Sequence, residues 1–223
     1  MRFQSVTFDL DGTLLDTIVD LAEACRRMLE ELGEPPRSQA EIHRFVGKGM
    51  AVLVERCLTR GSAPSAERLH HAIEVFKRHY AEVNGHYTQI YPGVVEGLQA
   101  WKASGLKLGV VTNKPGMFTE ALLERMGLAD YFDVVVSGDT TAHKKPHPEP
   151  ILHACRIFGV SPGRNLHVGD SRNDIHAAHA AGCPCYCVPY GYNEGEPVDS
   201  ADCDALVSDL PAAYRQALND KTS

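Results

Sequence analysis

The chain has 223 residues, 43% hydrophobic and 23% charged, enough to bury a sizeable core in one domain or two. A formal net charge of −7, with no basic stripe, argues against a nucleic acid or an anionic membrane as partner. No apolar run approaches the ~18 residues of a membrane span, and no apolar signal core precedes the first strand formers, so the sequence reads as cytoplasmic.

In chain order, Val6-Thr7-Phe8 reads as a buried strand that Gly12 ends, with Asp9 and Asp11 at its C-terminal edge. From Asp16 to Gly33 the period becomes helical, through Ile18, Leu21, Ala22, Cys25, Met28, Leu29 and Leu32. Thr17 with Asp20 has the spacing of a capping box, and Gly33 is a stop. Ser38-x-x-Glu41 starts a second helix, and Val52, Leu53 and Cys57 mark a third after Gly47-Lys48-Gly49. Ser65 opens a fourth, with Leu69, Ile73, Phe76, Tyr80 and Val83 on one face. Residues 16–88 are thus expected to be an all-helical second domain, hinged around residues 15 and 89.

Strand–helix alternation then resumes. Strands are expected at 108–111, 134–136, 166–168, 186–188 and 205–207, with helices over 94–104, 117–126, 148–158 and 175–181. Repeated βα units predict a doubly wound parallel sheet with helices on both faces, built from residues 1–15 and 89–223. The seven cysteines, an odd number, fit free thiols better than a disulfide framework. Cys183, Cys185 and Cys187, at a period of two, are expected to pack in the core rather than bind metal.

The chemistry falls at strand ends. Asp9 and Asp11 end the first strand, Thr112-Asn113 follow the second, Lys145-Pro146 follow the third, and Gly169-Asp170-x-x-x-Asp174 follow the fourth. A parallel sheet gathers these ends at one edge, where ligands of open α/β sheets bind. Adjacent carboxylates repel unless a proton or a cation intervenes. Four aspartates, a threonine and a lysine around one crevice suit phosphoryl transfer. Asp9, Asp170 and a backbone carbonyl would supply hard oxygens for Mg2+, and Lys145 and Thr112 would bind phosphoryl oxygens.

This ordered set resembles the four motifs of the haloacid dehalogenase superfamily, and the helical insert after the first motif resembles its C1-type cap. Val111-Thr112-Asn113-Lys114-Pro115, Lys144-Lys145-Pro146-His147-Pro148 and Val168-Gly169-Asp170-Ser171-Arg172-Asn173-Asp174-Ile175 are similar to the phosphoglycolate phosphatase family. The resemblance implies a Rossmann-like core and a Mg2+-dependent phosphatase acting on a small phosphomonoester, 2-phosphoglycolate first, as a monomer or homodimer. It implies that Asp9 is the nucleophile and Asp11 the general acid and base. Mg2+ would be held by Asp9, the Asp11 carbonyl and Asp170. Asp174 would support the metal or orient Lys145, and Lys145 precedes the proline as the family pattern requires. Thr13, Thr112, Asn113 and Lys145 would contact the phosphoryl group. Asp11 favours phosphate esters over halides, since a halide leaving group needs no acid. Lys48, between two glycines, would either meet a substrate carboxylate or be a solvated turn residue. Alternatives are a sugar-phosphate or pyrophosphate phosphatase of the same superfamily, or, in another class, a phospho-accepting signalling module.

Overall fold

The computed structural model describes residues 2–220; Met1 and residues 221–223, assigned above to the core, lie outside the described residues. The first strand, β1 (Ser5–Phe8), is buried at all four positions. After a tight turn come the short β2 (Leu15–Asp16) and four helices: α1 (Ile18–Glu31), α2 (Gln39–Phe45), α3 (Met50–Leu58) and α4 (Ala66–Val83). The chain returns through β3 (Gln89–Ile90), which pairs antiparallel with β2, so the two crossings into and out of the helical segment are joined.

The rest alternates: α5 (Val94–Ala103), β4 (Lys107–Val111), α6 (Gly116–Arg125), β5 (Val134–Val136), α7 (Glu149–Phe158), β6 (Asn165–Gly169), α8 (Arg172–Ala181), β7 (Cys185–Cys187), β8 (Ala205–Leu206) and α9 (Leu210–Asn219). The main sheet has the order β5-β4-β1-β6-β7-β8, and every pairing in it is parallel. From β1 the chain builds outward first through β4 and β5, then on the other side through β6, β7 and β8. That reversal leaves a crevice at the C-terminal end of β1, the ligand position of doubly wound sheets.

Alternation along the strands fills two cores. Val6, Phe8, Leu108, Val110, Leu166 and Val168 pack under α5 and α9, around the buried Trp101 and Leu210. Val111, Val136, Cys185 and Cys187 face α7 and α8 on the other side. A Cβ on Gly109 would come within 2.7 Å of Val134 and 2.9 Å of Phe158, so the close approach of β5 and α7 requires glycine there. The cysteine expectation holds: Cys183, Cys185 and Cys187 are buried free thiols in the α7–α8 core, although Cys183 precedes the strand.

The four helices share a separate cluster, including Cys25, Met28, Ile42, Leu53, Phe76 and Tyr80, into which, among the described residues, Phe118 and Tyr192 project from the sheet side. Ser38 and Glu41 form the expected capping box, and the Ser65 hydroxyl accepts from the Arg68 N–H. The Thr17–Asp20 box does not form. Thr17 donates its hydroxyl to Asp11 instead, and Asp20 turns inward to accept from the 85–88 segment. A buried set of N–H groups outcompeted the local cap. Helix α9 was not anticipated, although Asp209 caps it and Pro211 lies in its first turn.

Candidate active site

The first motif is shaped by its neighbours. The Asp9 N–H donates to the Val168 carbonyl at 2.9 Å, which carries the ladder one residue beyond β1 and fixes the Asp9 backbone. Gly12 has φ +91°, and a Cβ there would lie 2.5 Å from the Asp170 carboxylate, so the turn that presents both acids requires glycine. The Thr13 hydroxyl donates to Asp170 Oδ1 at 2.7 Å. The other Asp170 oxygen accepts from the Tyr192 N–H at 2.5 Å.

Lys145 joins two of the motifs. Its ammonium is 2.9 Å from Asp9 Oδ1 and 2.7 Å from Asp174 Oδ1, with a side chain 1% exposed. Asn113 holds the Lys145 backbone at two points, donating to its carbonyl and accepting from its N–H, both at 2.9 Å. The same Asn113 amide nitrogen donates to the Gly47 carbonyl, linking the sheet to the helical segment. Asp174 accepts from Lys145 and His167 through one oxygen, and from the Asp170 N–H and the Ser171 N–H and hydroxyl through the other. Both its oxygens are thus engaged, which suits the orientation of Lys145.

The electrostatics follow from burial. Burial pushes the Asp9 carboxyl up to about 6 against the pull of Lys145. Asp170 is driven well above the usual carboxylate range by burial, then by Asp174 and Asp9. Burial opposes ionisation of Asp174 too, but Lys145 and His167 together hold it below the usual range. His167 is itself held low by burial, so the neutral ring presents Nε2 to Asp174 at 3.1 Å and Nδ1 to the Thr7 hydroxyl at 2.9 Å.

Oxygens of Asp9, Asp170 and Asp174 lie within 4.8 Å of one another. Ionising all three acids against one lysine would leave a buried excess of negative charge, which a small divalent cation would neutralise in place of the protons that Asp9 and Asp170 otherwise retain. The all-oxygen donor set and the strained Asp170 therefore fit Mg2+.

Above this cluster the helices and the strand ends enclose a cavity of about 50 Å³. Asp9, Asp11, Thr112, Asn113 and Lys114 line its floor, and Gly47, Gly49, Leu53, Phe76 and Tyr80 are among the residues of its roof. Asp11 accepts from the Thr17 hydroxyl at 2.8 Å and from the Lys114 ammonium at 3.0 Å. Lys114 also donates to the Tyr80 hydroxyl at 2.6 Å. Its burial favours the neutral amine, yet Asp11 and Tyr80 hold its pKa above the usual lysine value. Thr112, also buried, accepts from the Lys114 N–H at 3.3 Å.

The structure thus brings together Asp9, Asp11, Thr13, Thr112, Asn113, Lys145, Asp170 and Asp174. It places Lys48 elsewhere: half-exposed, 3.4 Å from Glu194, and not among the residues lining the cavity. Sequence reasoning gave no site role to Lys114, Tyr192 or His167, and read Thr17 only as a helix cap. Lys114 had a signal, as a lysine in the same strand-end loop as Thr112 and Asn113. Tyr192 and His167 depend on contacts between separate segments, and the Thr17 hydroxyl on the turn that brings Asp11 back beside it.

Residues 6–188 match the family model described as haloacid dehalogenase-like hydrolase. A phosphoglycolate phosphatase of Thiobacillus denitrificans is 48% identical, over 96% of this chain and 95% of that protein. One from Nitrosospira multiformis is 49% identical, over 96% of each. The crystal structure of a predicted phosphoglycolate phosphatase from Haemophilus somnus superposes with a TM-score of 0.92 at 32% identity, covering 97% of this chain and 99% of that one. With its four strand-end motifs around one crevice, the chain belongs to the haloacid dehalogenase-like hydrolase family.

Proposed function

We propose that the protein is a Mg2+-dependent phosphatase that hydrolyses 2-phosphoglycolate to glycolate and phosphate through a phosphoryl group carried on Asp9. The observation that carries this reading is the Asp9 carboxylate, paired with Lys145 at 2.9 Å and facing a small cavity that also contains Asp11. The similarity to named phosphoglycolate phosphatases along nearly the whole chain supports the substrate.

In the first step an Asp9 carboxylate oxygen attacks phosphorus and the bond to the ester oxygen breaks. Asp11 gives its proton to the departing alkoxide, releasing the alcohol. In the second step Asp11 takes a proton from water as that water attacks phosphorus. The acyl–phosphate bond breaks, and phosphate leaves with the Asp9 carboxylate restored. Lys145 offsets charge on Asp9 and on the phosphoryl oxygens throughout, held in place by Asp174 and Asn113. Thr112 and Thr13 line the phosphoryl side. Asp9, Asp170 and the Asp11 carbonyl would hold Mg2+, which would supply the remaining charge neutralisation.

Residues 16–88 act as a cap over a core of residues 1–15 and 89–223, supported by their separate apolar cluster and by the paired crossings β2 and β3. Closure would exclude water from the cavity during turnover. The free thiols and the lack, among the described residues, of a helix long and apolar enough to cross a membrane support a cytoplasmic setting. Acid quenching during turnover of phosphorus-labelled substrate tests the pathway. The label should stay on the protein, be released by hydroxylamine as an acyl phosphate is, and be absent from Asp9→Asn. Label on Asp9→Asn, or no label on a rapidly turning-over native enzyme, would count against it.

A further inference from the structure

We infer that the Lys114 ammonium, with the Tyr80 hydroxyl beside it, is the receptor for a carboxylate on the leaving group, and so selects phosphate esters of short hydroxy acids over those of neutral alcohols. The inference rests on the phosphatase reading above and deepens it.

Lys114 is the one basic residue among those lining the cavity. Lys145 lies beneath, committed to Asp9 and Asp174. The phosphoryl end of a substrate meets Lys145 and the acid cluster, while a charge at the other end must find its partner in the cavity itself. Lys114 is placed for that. Its Nζ is 3.0 Å from Asp11 Oδ1, and Asp11 must reach the ester oxygen to protonate it. In an ester of glycolate the carboxylate carbon is two bonds from that oxygen, so a cation touching Asp11 is within reach of the carboxylate.

The surroundings sharpen the choice. The side chain of Lys114 is 3% exposed, and its ammonium lies 4.8 Å from the centre of the Tyr80 ring. Leu21, Leu53, Phe76 and Phe118 give the cavity apolar walls. Such walls offer a sugar hydroxyl no acceptor or donor, and they strengthen an ion pair by excluding water. Lysine serves here as a compact point charge. Tyr80 belongs to α4 and Lys114 to the loop after β4, so the receptor spans the helical segment and the sheet and is complete only when they are together.

The test compares kcat/KM for 2-phosphoglycolate and for 2-hydroxyethyl phosphate, which replaces the carboxylate with a hydroxymethyl group. Native enzyme, Lys114→Met, Lys114→Arg and Lys48→Ala are measured with Mg2+, and circular dichroism melting checks that each is folded. The native enzyme should prefer the acid ester, and Lys114→Met should reduce that preference about 10–100-fold, mostly through KM. Lys114→Arg, which keeps the charge, should recover part of it. Glycolate should inhibit the native enzyme competitively and Lys114→Met far more weakly, a readout that a purely structural role would not move. An equal loss on both esters in Lys114→Met would mean that Lys114 only holds Asp11, and would overturn the inference. So would collapse of the preference in Lys48→Ala with its retention in Lys114→Met. If Lys114→Met does not fold, an undiminished preference in Lys114→Gln or Tyr80→Phe overturns it in the same way. Native enzyme that hydrolyses neither ester refutes the phosphatase reading itself, and the inference falls with it.

Discussion

Asp20 has no part in the proposed chemistry, yet its removal should be among the most damaging single changes. Its carboxylate is buried in the first turn of α1. It accepts from the N–H groups of Gly85 (2.9 Å), Tyr87 (2.8 Å) and Thr88 (3.0 Å) and from the Thr88 hydroxyl (2.6 Å). One side chain therefore ties the first helix of the insert to the segment by which the chain leaves it. In Asp20→Ala the Tyr87 N–H, on an exposed residue, regains water, whereas both donors of buried Thr88 do not. Two to three lost bonds to a charged acceptor, at ~1.5–3 kcal/mol each and eased by relaxation, amount to about 4 kcal/mol. For a chain of this length that corresponds to a fall in Tm of about 8–16 °C. Urea unfolding followed by circular dichroism, with calorimetric melting, measures both. Asp20→Asn keeps an acceptor oxygen and should fall about halfway. An Asp20→Ala chain within about 1 kcal/mol of the native one would refute the reasoning, since the 84–88 segment would then owe its position to other contacts.

The acid cluster should make stability depend on metal and pH. Asp9 and Asp170 are raised in the folded metal-free protein above the ~4 of the unfolded chain, so the Asp9 contribution to stability falls as pH rises from ~4 through about 6, and that of Asp170 falls in the same direction. Mg2+ at a hundred times its Kd should add about 2.7 kcal/mol, or about 5–10 °C by calorimetry. That shift should shrink from pH 7.5 to pH 5 as protons compete, and vanish in Asp170→Asn. A shift of equal size in Asp170→Asn would place the metal elsewhere. Asn113→Ala frees the Lys145 backbone, and kcat should drop about 100-fold with KM changed far less, as for a misplaced catalytic group. Steady-state kinetics showing kcat within threefold of native would show that Lys145 is held without it.

The sheet and the first site residues were legible because they rest on local signals. Short apolar runs, ended by glycine after β1 and β6 and by Thr112-Asn113 after β4, gave these strands to within a residue or two, and parallel topology then gathered Asp9, Thr112, Lys145, Asp170 and Asp174. What escaped was set by contacts between distant segments. Thr17 and Asp20 satisfy a local capping rule on paper, but buried partners in the 85–88 turn and at Asp11 claimed both side chains. Lys48 sits between glycines that allow close approach, and those glycines do line the cavity; the lysine itself pairs with Glu194, 146 positions along the chain, a partner no spacing rule reveals. Lys114 and Tyr80, one in the loop after β4 and the other in α4, are 34 positions apart in the chain and meet only in the fold. His167 is one residue of a buried strand, and nothing in that run points to Asp174 and Thr7 as the partners of its two nitrogens.

The most direct test is phosphate release from 2-phosphoglycolate, hexose phosphates and pyrophosphate by native protein and Asp9→Asn, each with Mg2+ and with chelator. The account predicts Mg2+-dependent turnover that favours 2-phosphoglycolate and is abolished in Asp9→Asn. Multiple turnovers by Asp9→Asn, or turnover undiminished by chelator, would contradict it. So would a native protein that accumulates a stable phosphoryl group on Asp9 without releasing phosphate.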